Sequence, residues 1–268
     1  LVKFSNFNLF LKNINLPKQS SHKGQNGKLL VIGGSKLFHS SIFWAADVAS
    51  RVVDMVHFTS PENENNELVR KKLKDQLWTG IVVDWTEVEG YVKEDDVVLI
   101  GPGMERSTQT KKIVNYLLKT FPNKKWVVDG GALQMVNPQL LGKNVIITPH
   151  SDELRRLLDQ GVTIKQLLDQ KVIILAKGQV DHVYQDSQVI EIVGGNPGLT
   201  KGGTGDVLAG LVAALYCHHD SLTAAVVASL VNKKAGEVLW QTAGPYFNAS
   251  DLVAQVPKTL WRYLSPAS

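Results

Sequence analysis

The stretch Gly194-Gly195-Asn196-Pro197-Gly198-Leu199-Thr200-Lys201-Gly202-Gly203-Thr204-Gly205-Asp206-Val207-Leu208-Ala209-Gly210 gathers seven of the chain's 22 glycines. It follows a β-branched run and opens a long helical pattern. Glycines let consecutive backbone N–H groups converge, and the helix that starts here adds its positive end. Together they predict an anion site suited to phosphate. Asp206 falls in the first helical turn, where the helix dipole is expected to keep a carboxylate ionised. There it can accept a proton from a hydroxyl that attacks a phosphoryl group. The alternative is that Asp206 or Thr204 only caps the helix.

Upstream of this loop, short buried-strand patterns alternate with helical ones. Strands are predicted at Lys28 to Ile32, Val53 to Phe58, Ile81-Val82-Val83, Val97 to Ile100, Trp126 to Asp129, Val145 to Thr148 and Lys171 to Ala176. Helices are predicted at Ser41 to Val53 and Gln109 to Thr120. The alternation argues for an α/β fold with a mainly parallel central sheet and helices on both faces. Val180 to Tyr184 and Gln188 to Val193 read as an antiparallel hairpin added late in that sheet. Downstream the pattern is helical almost to the end, at Asp206 to Cys217, Leu222 to Trp240 and Asp251 to Tyr263. In such sheets ligands bind at the carboxyl ends of the strands, so the loops there are expected to carry the chemistry.

Composition narrows the function classes. The 268 residues, 44% hydrophobic and 20% charged, suit a globular domain and exclude a disordered or fibrous chain. The single cysteine, Cys217, forms no internal disulfide and no Cys/His cluster has zinc spacing, so a reducing, cytoplasmic location is expected. The net charge of +4 is not gathered into a basic stripe, and a nucleic-acid partner is not expected. Residues 1–16 are apolar but interrupted by Lys3, Lys12 and several asparagines, which fits neither a signal peptide nor a membrane helix. Residues 1–21 are read as an amphipathic N-terminal arm and residues 22–268 as one domain. His39, His182 and the His218-His219 pair have no acid or cysteine partner at catalytic spacing and are read as surface or satisfied histidines. The dispersed tryptophans, Trp44, Trp78, Trp85, Trp126, Trp240 and Trp261, are read as core and interface anchors.

The chain resembles the NAD(P)H-hydrate dehydratases, the carbohydrate-kinase-like family of the ribokinase-like fold. The likeness rests on Gly195-Asn196-Pro197-Gly198 and Lys201 to Gly210. It extends to His22-Lys23-Gly24 with Gly27, Val31-Ile32-Gly33-Gly34-Ser35 and Gly101-Pro102-Gly103. Further matches are Thr148-Pro149-His150 with Glu153 and Arg156-Leu157, and Lys177-Gly178. It covers the chain from about His22 onward and implies a three-layer ribokinase-like fold. The implied reaction is nicotinamide cofactor repair by a lyase: the S epimer of hydrated NADH or NADPH is dehydrated at the expense of ADP or ATP. Phosphorylation of the ring hydroxyl and elimination of phosphate would accomplish it.

Carried over residue by residue, the resemblance makes Asp206 the catalytic base and places Ser41, Gly103, His150 and Asp206 at the hydrated cofactor. Lys177, Gly178, Gln179, Val180, Asp181, Gly202, Gly203, Thr204 and Gly205 would hold the nucleotide, and Glu153 would hold Mg²⁺ through water. Without the family, His150 and Glu153 read as a capping box. The resemblance also implies a homotetramer and, since this length leaves no room for a fused epimerase, a separate epimerase as functional partner. Two other readings stay open: a vitamin-precursor kinase of the same fold, and a catalytically weak nucleotide-binding sensor. The sensor reading is motivated by departures from the family pattern. Ser40-Ser41-Ile42 stands where Gly-Ala-Pro is usual, Gly131 where a second carboxylate is usual, and Glu105 where a glycine is usual. Asp181 replaces the threonine of Lys-Gly-x-x-Thr and would set a negative charge near a phosphate unless it points away. Lys201 is read either as added positive charge at the loop or as an exposed lysine without a partner.

Overall fold

The computed structural model describes residues 7–76 and 80–265. Its strands are β1 (Lys28–Ile32), β2 (Met55–Thr59), β3 (Ile81–Val82), β4 (Val97–Ile100), β5 (Lys125–Val128), β6 (Val145–Ile147), β7 (Ile173–Ala176), β8 (Asp181–Gln185) and β9 (Gln188–Ile192). They form one sheet in the order β3-β2-β1-β4-β5-β6-β7-β8-β9. Pairing is parallel from β3 through β7, and the β8–β9 hairpin joins antiparallel. The predicted strands and the hairpin are thus all present, with ends displaced by a residue or two.

The helices are α1 (Asn8–Lys12), α2 (His39–Ala49), α3 (Asn63–Gln76), α4 (Val88–Glu94), α5 (Thr108–Thr120), α6 (Gly130–Met135), α7 (Ser151–Leu158), α8 (Ile164–Asp169), α9 (Thr204–Tyr216), α10 (Ser221–Ala243) and α11 (Ala249–Leu264). Side-chain alternation along each strand divides the core in two. Leu29, Val31, Val97, Leu99 and Val127 face α2, α9, α10 and α11, whereas Leu30, Ile32, Val98, Ile100 and Val128 face α4 to α7. This is the three-layer arrangement expected from the alternating pattern. In α1, Phe10 and Leu11 are buried, and the helix lies against α10 and α11; Leu1 to Asn6 of the expected arm lie outside the described residues.

A seam of small residues sets the spacing of α2 and α9. Ala45 meets α9, and a Cβ on Gly210 would lie 2.3 Å from the Ala45 carbonyl oxygen. The backbones therefore touch, and only glycine fits there.

Strand order reverses between β1 and β4, which opens a crevice at their carboxyl ends. At the opposite end of the sheet, His57 Nδ1 lies 2.8 Å from the Asp95 carboxylate, and both side chains are buried. This pair has no local sequence signature. Cys217 is buried, and burial pushes its thiol up. Trp126 is buried while Trp240 and Trp261 are exposed, and Trp78 lies outside the described residues. Among the described residues no helix is long and apolar enough to cross a membrane.

Candidate functional site

The glycine loop enters α9 through Gly203, whose left-handed backbone (φ 92°) forms an N-cap without any side-chain hydrogen bond. The Trp44 indole and Ala249 lie against its Cα, leaving no room for a side chain. The Thr204 hydroxyl donates to the carbonyls of Leu199 (2.6 Å) and Lys201 (2.8 Å), so it folds the loop rather than capping the helix. Among the described residues the N–H groups of Gly202, Gly203, Gly205 and Asp206 donate to no backbone acceptor. They are the free donors that an anion site requires.

Four charged side chains meet beside these donors: Asp129 and Lys177 from strand ends, Glu153 from α7 and Asp206 from α9. Asp129, directly after β5, accepts at Oδ1 from the Thr148 hydroxyl (2.7 Å) and from Lys177 Nζ (2.9 Å). The same ammonium is 3.9 Å from Glu153 Oε2 and lies against Gly205. Burial alone would lower the Lys177 ammonium, but Asp129 and Glu153 hold it above its usual value. Asp206 is pushed up to about 7, first by burial and then by Asp129, while Lys177 and the Ser41 hydroxyl pull it down. The expectation that the helix dipole keeps this carboxylate ionised is therefore corrected. Desolvation and neighbouring carboxylates outweigh a dipole effect of about 1 kcal/mol.

His150 and Glu153 do form the capping box of α7. His150 Nδ1 accepts from the N–H groups of Asp152 and Glu153, and Glu153 Oε2 accepts from the His150 N–H at 2.9 Å. With Nδ1 accepting, the ring proton of the neutral imidazole sits on Nε2. The half-exposed ring thus offers a donor. Gln134 donates to Glu153 and is itself held by Arg156.

His150, Lys177, Gly178, Gln179, Asp181, Thr204 and Gly205 line one cavity of about 670 Å³ whose apolar wall includes Leu199 and Leu208. Asn232 also lines it, and its buried Oδ1 has no hydrogen-bond partner. Val180, Gly202 and Gly203 sit in the same loops without lining it. A cleft of about 220 Å³, lined by Gly34, Ser35, Met104 and Glu105, opens at the carboxyl ends of β1 and β4. Ser41 on α2 and Gly103 are in contact, since a Cβ on Gly103 would lie 3.1 Å from that of Ser41. No group of three or more His, Cys, Asp or Glu side chains gathers into a metal cage among the described residues.

Three of the four departures resolve physically. Ser40, which stands where glycine is usual, is within the helical backbone of α2 and needs none of glycine's freedom. The Met104 carbonyl oxygen stands 1.9 Å from where a Cβ of Gly131 would be, so no carboxylate fits there. The Asp181 carboxylate turns away from the glycine loop to Lys233 and Ser229. Lys201 neither faces the glycine loop nor stands free; its ammonium donates to the carbonyls of Pro245 and Phe247. His182 does have an acid neighbour, Glu191 across the hairpin at 3.8 Å. Lys233, Ser229 and the Thr148–Asp129 contact escaped the sequence reading. The one available signal for Lys233 was a lysine on the apolar stripe Val226, Leu230 and Lys233 of α10.

Comparison with known proteins matches residues 29–258 to the family model for NAD(P)H-hydrate dehydratase. The chain is 33% identical over 258 residues to a bifunctional NAD(P)H-hydrate repair enzyme of Methanocaldococcus jannaschii, with 93% of this chain and 51% of that one covered. It is 30% identical to an ADP-dependent (S)-NAD(P)H-hydrate dehydratase of Nitrosopumilus maritimus, covering 89% of this chain and 90% of the other. The chain spans about half the length of the bifunctional relatives. The fold is shared with ribokinase-like proteins. It superposes on the ADP/ATP-dependent NAD(P)H-hydrate dehydratase of Bacillus subtilis, co-crystallised with ATP and Mg²⁺, with a TM-score of 0.78. The identity is 22%, over 98% of this chain and 99% of the other.

Proposed function

Since this chain belongs to the NAD(P)H-hydrate dehydratase family, we propose that it restores NADH or NADPH from the S-hydrated form, using ADP or ATP as phosphoryl donor. The observation that carries the reading is the position of Asp206. Its carboxylate stands beside free loop amides and a buried ammonium, with a proton affinity poised near neutrality.

The donor's terminal phosphates lie over the amides of Gly202, Gly203 and Gly205, which stabilise charge on the transferring group. Asp206 takes the proton of the ring hydroxyl as its oxygen attacks phosphorus, and AMP or ADP leaves. The ring nitrogen then expels phosphate, and loss of a proton from the neighbouring carbon restores the dihydronicotinamide. Ser41 and Gly103 face the hydrated ring, His150 Nε2–H offers it a hydrogen bond, and the turn from Lys177 to Asp181 borders the nucleotide. Lys177, held by Asp129, balances the negative charge around Asp206. The donor set also fits Mg²⁺, which is commonly held by one or two carboxylates, waters and substrate phosphates, and Glu153 supplies the carboxylate. Bound there through water, Mg²⁺ would neutralise charge on the donor phosphates. Residues 22–268 are the catalytic domain in this reading, residues 1–21 an arm. An epimerase activity would convert the R hydrate.

The test follows recovery of NADH absorbance from hydrated NADH with ADP or ATP and Mg²⁺. Recovery well above the spontaneous rate is expected; nucleotide binding without recovery would favour a sensor instead. A further expected result concerns pH. Because the ionised form of Asp206 is the base, kcat/KM should fall about tenfold per pH unit below about 7. Ser41→Ala removes a group that lowers the Asp206 pKa, so the acid limb should move to higher pH. A profile flat from pH 5 to 8 would reject the assignment.

A further inference from the structure

The turn Lys177–Val180 between β7 and β8 is held from outside, by α10. Lys233 Nζ donates to the carbonyls of Gly178 and Gln179, each at 3.0 Å, reaches the Gly194 carbonyl at 3.4 Å, and lies 3.2 Å from Asp181 Oδ1. Asp181 Oδ1 accepts from the Gly178 N–H at 2.8 Å, and Oδ2 accepts from the Ser229 hydroxyl at 2.7 Å. Asp181 and Lys233 are both buried. A buried ion pair of this kind contributes little net stability, and an apolar pair would fill the space as well. Its geometric effect is more specific. In a trans peptide the N–H points opposite to the C=O. Gripping the carbonyls of Gly178 and Gln179 therefore turns the N–H groups of Gln179 and Val180 away from α10. Among the described residues neither of these donates to a backbone acceptor. Successive free amides in a fixed turn are suited to bind an anion or a hydroxyl-bearing ligand.

We propose that Lys233, neutralised by Asp181, is a positioning residue of the nucleotide site, holding the Lys177–Val180 turn so that the Gln179 and Val180 amides meet the phosphate and ribose oxygens of the donor. The proposal rests on the reading of this cavity as the nucleotide site. It also gives the residue at 181 a function that threonine could not perform. Aspartate neutralises the ammonium, so the wall of the pocket carries no net charge from the pair.

The test compares Asp181→Asn with the double variant Asp181→Asn/Lys233→Met by calorimetric titration with ADP and with ATP. In both, no unpaired carboxylate remains; they differ in the grip on the turn and in one positive charge, so the titrations are repeated at high salt, where the charge contribution is screened and the loss from the missing grip persists. Asp181→Asn keeps the Lys233 ammonium on the Gly178 and Gln179 carbonyls, and its nucleotide affinity is the reference against which the double variant is read. The double variant should lose about tenfold or more in affinity and show a raised KM for nucleotide, with kcat at saturation nearly unchanged. Equal affinity of the two variants, or a loss confined to kcat, overturns the proposal. Hydrogen exchange on the native protein gives a readout independent of variant folding. ADP should slow exchange at the Gln179 and Val180 amides, and no slowing there also overturns it. A native protein that binds neither ADP nor ATP would instead overturn the reading of the site itself.

Discussion

Asp206→Asn is expected to lower turnover about a thousandfold, the range lost when a general base is removed from phosphoryl transfer. The change is isosteric and leaves the loop amides and Lys177 in place. The dissociation constant for ADP should therefore stay within about threefold of the native value, or tighten because a negative charge has gone. The same variant should be more stable. A carboxyl that holds its proton more tightly in the folded chain than in the unfolded one favours folding at low pH. That contribution is lost as pH rises from the ordinary carboxylate range through about 7. At pH 8 the buried, ionised Asp206 costs stability, and asparagine removes that cost. Calorimetric melting at pH 8 and at pH 4 checks the sign, because the gain in Tm should be present at the higher pH and shrink at the lower. Native-like turnover would remove Asp206 from its role as base. A variant that is inactive because it no longer binds ADP would assign the residue to binding instead.

The second large effect is at Gly210. Alanine in the middle of a helix normally gains about 1 kcal/mol over glycine. Here the added methyl would meet the Ala45 backbone, with its carbonyl oxygen at 2.3 Å and its Cα at 2.7 Å, so α2 and α9 must separate. Overpacking against backbone costs about 3 kcal/mol, leaving a net loss of about 2 kcal/mol. In a domain of this size that lowers Tm by about 4–8 °C. Gly210→Val should lose at least twice as much. Any rise in Tm for Gly210→Ala would show that the helices are not in backbone contact. Because Asp206 and Ser41 stand on these two helices, the surviving folded fraction should also lose activity.

Local periodicity carried most of the fold. The central strands are short apolar runs bounded by turns with both faces buried, so runs such as Lys28–Ile32 and Val97–Ile100 announce a covered parallel sheet. The glycine loop was equally legible, since its glycines, its helix start and Asp206 are contiguous. What the sequence could not show were contacts between distant positions. Asp129 meets Lys177 across 48 residues, Asp181 meets Ser229 across 48, and His57 meets Asp95 across 38. Each pairing depends on sheet order rather than spacing. The raised proton affinity of Asp206 has the same origin: the helix dipole is visible locally, whereas the burial of the carboxylate and the nearby carboxylates of Asp129 and Glu153 are not.

The close fit of Trp44 against Gly203 also makes the molecule its own optical gauge. An indole in contact with the hinge of the glycine loop changes its emission when the loop's electric field and hydration change, as they must when phosphate oxygens settle on the amides beside it. Subtracting the spectrum of Trp44→Phe isolates that signal from the other tryptophans. Occupancy of the loop can then be followed without a label.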